Sequence, residues 1–257
     1  MNPFKNNISN NLWGRIVVVV GVIALSPDSL SFRLVRHLPN GSVLIYKYGL
    51  FVIVSIILFF CYNKKSSCGV IYAIGFSDIG AGILWGLLSF TISFAIQHTS
   101  AANALVIYSI GPSILTSYFT HLLLRDPIPW RTLISGGVCF ASILLIFSTE
   151  LTSTTHNDVI GSLSAMAAAV IVGVYFVYIE YIKRYMSTQP DVFVINAIAG
   201  IIVAGMGGLI GGVPTLVTST DFGYLCIGGL LIIPVSLSLI TLGSQLILPS
   251  EASMMML

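Results

Sequence analysis

Long apolar stretches without a charged residue alternate with short polar turns along this chain. No Asp, Glu, Lys or Arg occurs from Ile79 to Leu124, from Val192 to Thr220, or from Phe222 to Ser250. A membrane-spanning helix needs about 20 consecutive apolar residues, so the first of these stretches is long enough for two spans. Because lipid offers backbone N–H and C=O groups no partner, each span is predicted to be an α-helix.

The apolar pattern predicts eight spans separated by polar turns. They cover residues 13–34, 42–62, 78–97, 101–124, 132–149, 158–182, 192–212 and 222–248. A further apolar piece runs from Ser250 to Leu257, and residues 1–12 are expected to be a cytosolic tail, because they are polar and lack a signal-peptide pattern. The predicted fold class is all-α, a polytopic bundle of transmembrane helices.

The composition supports the membrane assignment. Charged residues make up 8% of the 257 residues and hydrophobic residues 56%, whereas roughly 25% of an ordinary soluble domain is charged. A soluble fold of this length would lack the charges needed to cover its surface, so the lipid bilayer is the expected surrounding. The net charge of +2 is small and no basic nucleic-acid module is visible, so nucleic acid is not an expected partner.

The distribution of Lys and Arg predicts a cytosolic N-terminus, because turns rich in these residues tend to face the cytosol. With the N-terminus inside, the outer side carries Arg33 and Arg36, Lys47 lies within a span, and the rest of the 11 basic residues lie inside. The loop from Ser148 to Asp158 carries neither Lys nor Arg, as an outer loop should.

Motifs of common enzyme and metal sites are absent from the sequence. The chain has no GxxxxGK[ST] nucleotide-binding loop, no GxSxG elbow and no HExxH pair. The four cysteines form no CxxC pair and the four histidines do not cluster, so we expect no metal site and no disulfide framework. We therefore expect no cofactor and no catalytic residues, and the chain is not expected to be an enzyme.

Polar and aromatic side chains recur at helical spacing within four of the predicted spans. Each set falls near one helix face, and together the sets could form a mostly apolar pocket with a few polar anchors, as small-solute sites usually have. The candidate cavity residues are Trp85, Ser89, Ser93 and Gln97, then Asn103, Ser109 and Ser113, then Tyr175 and Tyr178, and finally Ser238, Thr241 and Gln245. Packing is the alternative, because Ser and Thr can also bond their own backbone.

The fourth predicted span contains a helix break at Gly111-Pro112. Proline removes a backbone hydrogen bond and frees carbonyl groups. Such backbone is tolerated in a membrane where it faces protein or a watery cavity. We therefore expect this span to face the centre of the bundle.

Asp28 and Lys47 are ionisable residues within predicted spans, where a charge is costly and often functional. At the helical rise, Asp28 lies roughly 9 Å and Lys47 roughly 7.5 Å below the outer ends of their spans. An Asp28–Lys47 pair that forms part of an outer gate is one hypothesis, and Asp28 is also a candidate cavity residue. A purely structural pair is the alternative, as is Lys47 extending outward while Asp28 meets Arg33.

The chain shows signs of an internal repeat. "QHTSAANALVI" closes one predicted hairpin, and "ILPSEASMMML" is its counterpart, with Ser100 matching Ser250 and Ala102 matching Ala252. The first unit has five spans, an odd number, so a second copy must insert with opposite polarity. Inverted repeats recur in secondary transporters because rocking one half against the other exposes a midplane site alternately.

Several segments carry a resemblance to one transporter family. They are "ALSPDSLSFRLV", "HTSAANALVIYSIGPSILTSYFTHLLLRDPIPWRTLISGGVCFASILLIF", "GSLSAMAAAVIVGVYFVYIEYIKR" and "IIPVSLSLITLGSQLILPSEASMMML". In order and hairpin spacing, the chain resembles the drug/metabolite transporter superfamily, EamA type. Gly111-Pro112 falls where that family usually has a helix-breaking Pro, and Asp126 stands where it commonly has Glu.

The resemblance implies ten helices in two inverted five-helix units, here residues 13–149 and 158–257. The chain stops at Leu257, within the family's ninth helix, so we expect the second unit to be truncated. A complete protein with a re-entrant end is the alternative. The resemblance further implies a secondary, ATP-independent transporter of a small organic metabolite or drug that works by alternating access.

The expected partners are a small-molecule solute and the bilayer, with coupling to a proton or to an exchange substrate left open. A homodimer also stays open. By the resemblance, the host membrane is a bacterial inner membrane, with a eukaryotic cell or organelle membrane as the alternative. A non-transporting membrane receptor or scaffold is the competing function, and an intramembrane enzyme is a third.

Overall fold

A computed structural model describes residues 3–35, 37–62, 75–109, 114–125, 156–186, 191–211 and 217–247, with isolated positions 130, 134, 137, 138 and 141. Side chains are described for these residues except 3–11, 62, 101, 102, 156, 157, 186, 211 and 245. This part of the chain is helical and contains no β-strand. The all-α prediction is confirmed for it.

Ten α-helices follow one another along the described part of the chain. They are α1 (Pro3–Leu25), α2 (Asp28–Leu34), α3 (Asn40–Tyr62), α4 (Phe76–His98), α5 (Ala101–Tyr108), α6 (Thr116–Leu124), α7 (His156–Tyr181), α8 (Val192–Gly211), α9 (Ser219–Cys226) and α10 (Ile233–Leu246). Helix α1 already begins at Pro3, so it extends into the segment that we expected to be a polar tail.

In the part of the chain that the structure describes, six helical segments are long and apolar enough to cross a membrane, and the protein is a multi-pass membrane protein on this ground. They are Leu12–Leu34, Asn40–Cys61, Phe76–His98, Asp158–Tyr185, Val192–Ile210 and Ser219–Ser244. These segments coincide with six of the eight predicted spans.

The other two predicted spans are described only in part. The fourth contains α5 and α6, and Gly111, Pro112 and Ser113 between them lie outside the described residues. Most of the fifth, residues 132–149, lies outside them too. The predictions that fall there are not decided by the structure.

The long helices pack against one another in pairs. Helix α1 lies along α10, α4 lies along α7, and α3 and α8 lie along each other, with α8 also contacting α4. Glycines allow the close approach that holds helices together in lipid. An added Cβ at Gly82 or Gly86 of α4 would overlap Ile198 or Ile202 of α8.

Among the described residues, π-helical hydrogen bonding extends α7 through Ile182–Met186 and joins α9 to α10 through Ile227–Ile232. The second segment ends at Ile232, two residues before Pro234, which lies in the first turn of α10. Proline has no N–H to donate to the preceding turn, so the hydrogen bonds shift there and the turn widens. Wide turns of this kind often occur at functional sites.

Candidate functional site

A cavity of about 350 Å³ lies inside the bundle between α1, α2, α3, α4, α5 and α10. Apolar side chains form most of its wall, including Leu88, Leu237 and Ile240. The polar and aromatic wall residues are Ser26, Asp28, Ser29, Phe32, Tyr48, Trp85, Ser89, Ser93, Tyr108 and Ser109. An apolar pocket with a few polar groups can bind a small organic solute.

Five of the candidate residues meet at this cavity. They are Asp28, Trp85, Ser89, Ser93 and Ser109. The stripe on α4 therefore faces the cavity along most of its length, from Trp85 to Ser93.

The remaining candidates lie elsewhere. Gln97 lines a different recess. Asn103 lies at the start of α5, where its backbone N–H donates a hydrogen bond to Ser100 Oγ. Tyr175, Tyr178, Ser238 and Thr241 are not among the residues that line the cavity. Ser113 and the side chain of Gln245 lie outside the described part of the chain.

The eighth predicted span presents its apolar face to the cavity. Ile233, Leu237 and Ile240 line the cavity there, whereas Ser238 accepts a hydrogen bond from Asn196 of α8 at 3.3 Å. The polar stripe thus turns toward α8. Its spacing identifies one helix face but does not reveal what that face contacts.

Asp28 and Lys47 form a close ion pair, with 2.6 Å between Oδ1 and Nζ. The Lys47 side chain is 1% exposed and that of Asp28 is 15% exposed. Lys47 therefore does not extend to the membrane surface, and Arg33 is exposed rather than paired with Asp28.

Three further features make the burial of Lys47 tolerable. Its ammonium group donates to Ser31 Oγ at 2.8 Å and lies 3.6 Å from the centre of the Phe32 ring. A cation over an aromatic face is stabilised by the ring's negative face. Gly228 leaves space for the Lys47 stem, because a Cβ there would lie 2.9 Å from Lys47 Cε.

A hydroxyl pair closes the wall beside the ion pair. Tyr48 OH and Ser93 Oγ lie 3.2 Å apart, which joins α3 to α4. Tyr48 follows Lys47 directly, so one turn of α3 supplies both contacts.

A second recess of about 510 Å³ adjoins the cavity at the end of the bundle where α4 ends and α3 begins. Phe32 and Ile96 line both spaces, so they mark the boundary between them. Arg33, Gln97 and Asp158 give the recess a polar wall. The cavity is thus bordered on this side by a space that a polar solute can enter.

No protein-family model matches this chain, and no curated protein matches it. Among the described residues, no group of three His, Cys, Asp or Glu side chains could hold a metal ion.

The opposite end of the cavity is closed by packed side chains with unused hydrogen-bonding groups. The Trp85 ring stacks on Tyr175 with centroids 4.6 Å apart. Two buried atoms at this end, Trp85 Nε1 and Asn196 Oδ1, have no hydrogen-bond partner among the described residues, whereas the hydroxyls of Tyr175 and Thr241 lie within hydrogen-bonding reach of each other. Tyr178 lies in the same half of the bundle and packs on Gly80 of α4, where an added Cβ would lie 2.5 Å from the Tyr178 hydroxyl.

Sequence reasoning missed several residues at this site. Phe32, Tyr108 and the apolar residues of α10 carry no signal that separates cavity lining from packing. Ser31 had a usable signal, because it stands three residues after Asp28 and so shares its helix face. The pair Gly228-Gly229 had one too, because adjacent glycines in an apolar span indicate a close approach.

Proposed function

We propose that the protein is a secondary, ATP-independent transporter that moves a small organic metabolite or drug by alternating access. The observation that carries the proposal is the cavity, which lies inside the bundle, adjoins a polar recess at one end and is sealed at the other. A carrier must hold its solute at such a place in one state and seal it from one side.

Reciprocal helix packing supports an inverted repeat. The repeat pairs the first predicted span with the sixth, the second with the seventh and the third with the eighth. In the structure α1 packs on α10 as α7 packs on α4, while α3 and α8 pack on each other. A two-fold axis that relates two inverted units would convert the α1–α10 contact into the α7–α4 contact and would map the α3–α8 contact onto itself. We propose the two units at residues 13–149 and 158–257.

The unpaired buried groups near Trp85 support a second state. A buried polar atom without a partner costs free energy, so it needs an explanation. Exposure to water in a state that opens this end would supply the missing partners. We propose that the Asp28–Lys47 pair belongs to the gate at the other end, where it ties α2 to α3.

Accessibility of single cysteines tests alternating access directly. In a background without native cysteines, Ser89→Cys reports on the cavity and Thr241→Cys on the sealed end. A carrier should expose the two positions to a membrane-impermeant thiol reagent from opposite sides. Ser55→Cys is the matched control, because Ser55 is 1% exposed and bonded to the Phe51 carbonyl within α3. It should stay unlabelled from both sides.

Uptake into proteoliposomes tests the transport itself. We expect protein-dependent accumulation of at least one solute from a defined mixture, measured by mass spectrometry without ATP. Labelling of Ser89→Cys and Thr241→Cys from the same side only, with no uptake, would favour a receptor or scaffold instead.

Three further properties belong to the proposal. We propose a cytosolic N-terminus, in a bacterial inner membrane or a eukaryotic membrane, which a terminal tag tests by its accessibility. Proton or exchange coupling is tested by imposed gradients in the same proteoliposomes. We propose no enzymatic activity, and a homodimer is tested by the mass of the purified particle.

A further inference from the structure

The acidic member of the buried ion pair is the one that faces the cavity. Asp28 lines the cavity and is partly exposed, whereas Lys47 does not line it. Oδ1 of Asp28 is buried against Lys47, so the open edge of the carboxylate is Oδ2. Among the described residues, Oδ2 has no hydrogen-bond partner. The cavity wall therefore carries one strong, unused acceptor.

Lys47 has no donor left for a solute. An ammonium group has three N–H bonds, and here they are directed at Asp28, Ser31 and the Phe32 ring. An anionic solute thus cannot reach the positive charge, and it would meet the carboxylate of Asp28 first.

A solute with a net charge is poorly matched to the rest of the wall. The ion pair is neutral as a unit, and no other residue of the described wall is charged. A charged solute would lose its hydration in an apolar space without a free countercharge, which is costly. An uncharged donor avoids that cost, and its hydrogen bond to a carboxylate is stronger than one to a neutral acceptor.

We propose that the cavity binds an uncharged, mainly apolar solute through one hydrogen-bond donor that meets Oδ2 of Asp28. The cavity volume lies at the small end of ligand pockets, which run from about 300 to 1,000 Å³, so the solute is a compact molecule. This inference rests on the proposed function only in calling the solute a substrate, because the preference itself is a property of binding.

Four naphthalenes of one ring system test the preference. 2-Naphthol is neutral with a donor, 2-methoxynaphthalene is neutral without one, 2-naphthoate is an anion and 2-naphthylmethylammonium is a cation. Tritiated 2-naphthol is bound to the protein in nanodiscs and displaced by each unlabelled compound. We expect 2-naphthol to bind at least roughly tenfold more tightly than 2-methoxynaphthalene, as a hydrogen bond to a charged group implies. Both charged compounds should bind more weakly than 2-naphthol.

Variants place the preference at Asp28. The double variant D28L/K47M removes both charges together, and in it 2-naphthol and 2-methoxynaphthalene should bind equally. If that variant does not fold, D28N/K47Q serves, and its donor preference should be smaller than that of the wild type because an amide is a weaker acceptor. S31A is the matched control, since it changes a partner of Lys47 and leaves Oδ2 of Asp28 intact, so it should keep the preference.

Three results would overturn the inference. The wild type could bind 2-naphthol and its methyl ether equally, it could bind a charged compound most tightly, or it could bind 2-naphthol no more tightly than D28L/K47M does. Correct binding order without any transport would overturn the proposed function and leave this inference standing. Transport without a donor preference would do the reverse.

Discussion

Lys47 is a costly side chain, because a lone ammonium group deep in a bilayer loses its hydration. The structure offsets that cost with Asp28, with the Ser31 hydroxyl and with the Phe32 ring. Removing one member of a buried pair leaves the other without a countercharge, which typically costs more than removing both. The pair should therefore behave as a unit.

A double-mutant cycle measures this coupling. We expect D28N to lower the free energy of unfolding by about 3 kcal/mol or more, because it leaves Lys47 charged and buried. K47M should also destabilise the protein, while D28N/K47M should lose less than the sum of the two single losses. Unfolding is followed by tryptophan fluorescence in mixed micelles. Additive losses would show that the two charges do not stabilise each other.

Trp85 provides a second residue-scale prediction, because its ring is 3% exposed and its Nε1–H has no partner among the described residues. W85F keeps an aromatic ring against Tyr175 and removes the unpaired donor together with part of the indole, so we expect a loss of about 1–2 kcal/mol, from the lost packing alone. W85A empties the site and should cost about 3 kcal/mol or more. Equal losses in the two variants, measured by the same unfolding assay, would contradict an unpaired donor.

The sequence predicts single charged residues better than polar ones. Asp28 and Lys47 stood out because a charge inside a span needs a partner, and their similar depths allowed only a few. Ser238 and Thr241 followed a correct helical spacing, yet they face away from the cavity, because Ser and Thr satisfy themselves at a neighbouring helix as easily as at a solute.

At the scale of elements, six apolar spans were predictable because their length alone fixes them as membrane helices. The π-helical turn at Ile227–Ile232 was not, because hydropathy does not register a shift in hydrogen bonding. Pro234 was a partial signal, since a proline within an apolar span disturbs the turn before it.

The same turn packs its glycines on α3, which gives the third prediction. A Cβ at Gly229 would overlap the backbone carbonyl of Lys47, and backbone cannot move aside as a side chain can. We expect G229A to destabilise the protein by roughly 1–3 kcal/mol through overpacking. It should also weaken 2-naphthol binding, because α3 carries Lys47.

Gly223 supplies the matched control for this substitution, because it lies in the adjoining helix α9 and has nothing within 4 Å of an added Cβ. G223A should leave stability unchanged or raise it by about 0.5–1 kcal/mol, since alanine favours a helix more than glycine does. A G229A protein as stable as G223A would refute the close approach to α3.

At the scale of the whole molecule, pairing of the helices could not be read from hydropathy, because every span is apolar on several faces. The repeat predicts which helices correspond, but contacts such as that of α1 with α10 depend on shape. Small residues decide them here: an added Cβ at Gly243 would lie 2.6 Å from Cγ2 of Val18. This contact lies one turn beyond the cavity-lining residues Val22 and Ile240.

A disulfide across that contact tests the rocking of the two halves, and this is the fourth prediction. Val18 and Gly243 belong to different proposed units, and their backbones are close enough to bring two Cβ atoms within disulfide range. In a background without native cysteines, V18C/G243C should abolish net transport when oxidised, because the sealed end can no longer open. A reductant should restore transport.

Binding separates a locked carrier from a damaged one. The oxidised V18C/G243C protein should still bind 2-naphthol, because the cavity and its recess lie toward the other end of α1 and α10. Each single-cysteine variant should transport equally well with and without oxidant. Completeness of the cross-link is judged by gel mobility after proteolysis between the halves. If the fully cross-linked protein transports as fast as the protein with its disulfide reduced, α1 and α10 do not separate during the cycle. That result would exclude a transport cycle in which the two halves move apart at the α1–α10 contact.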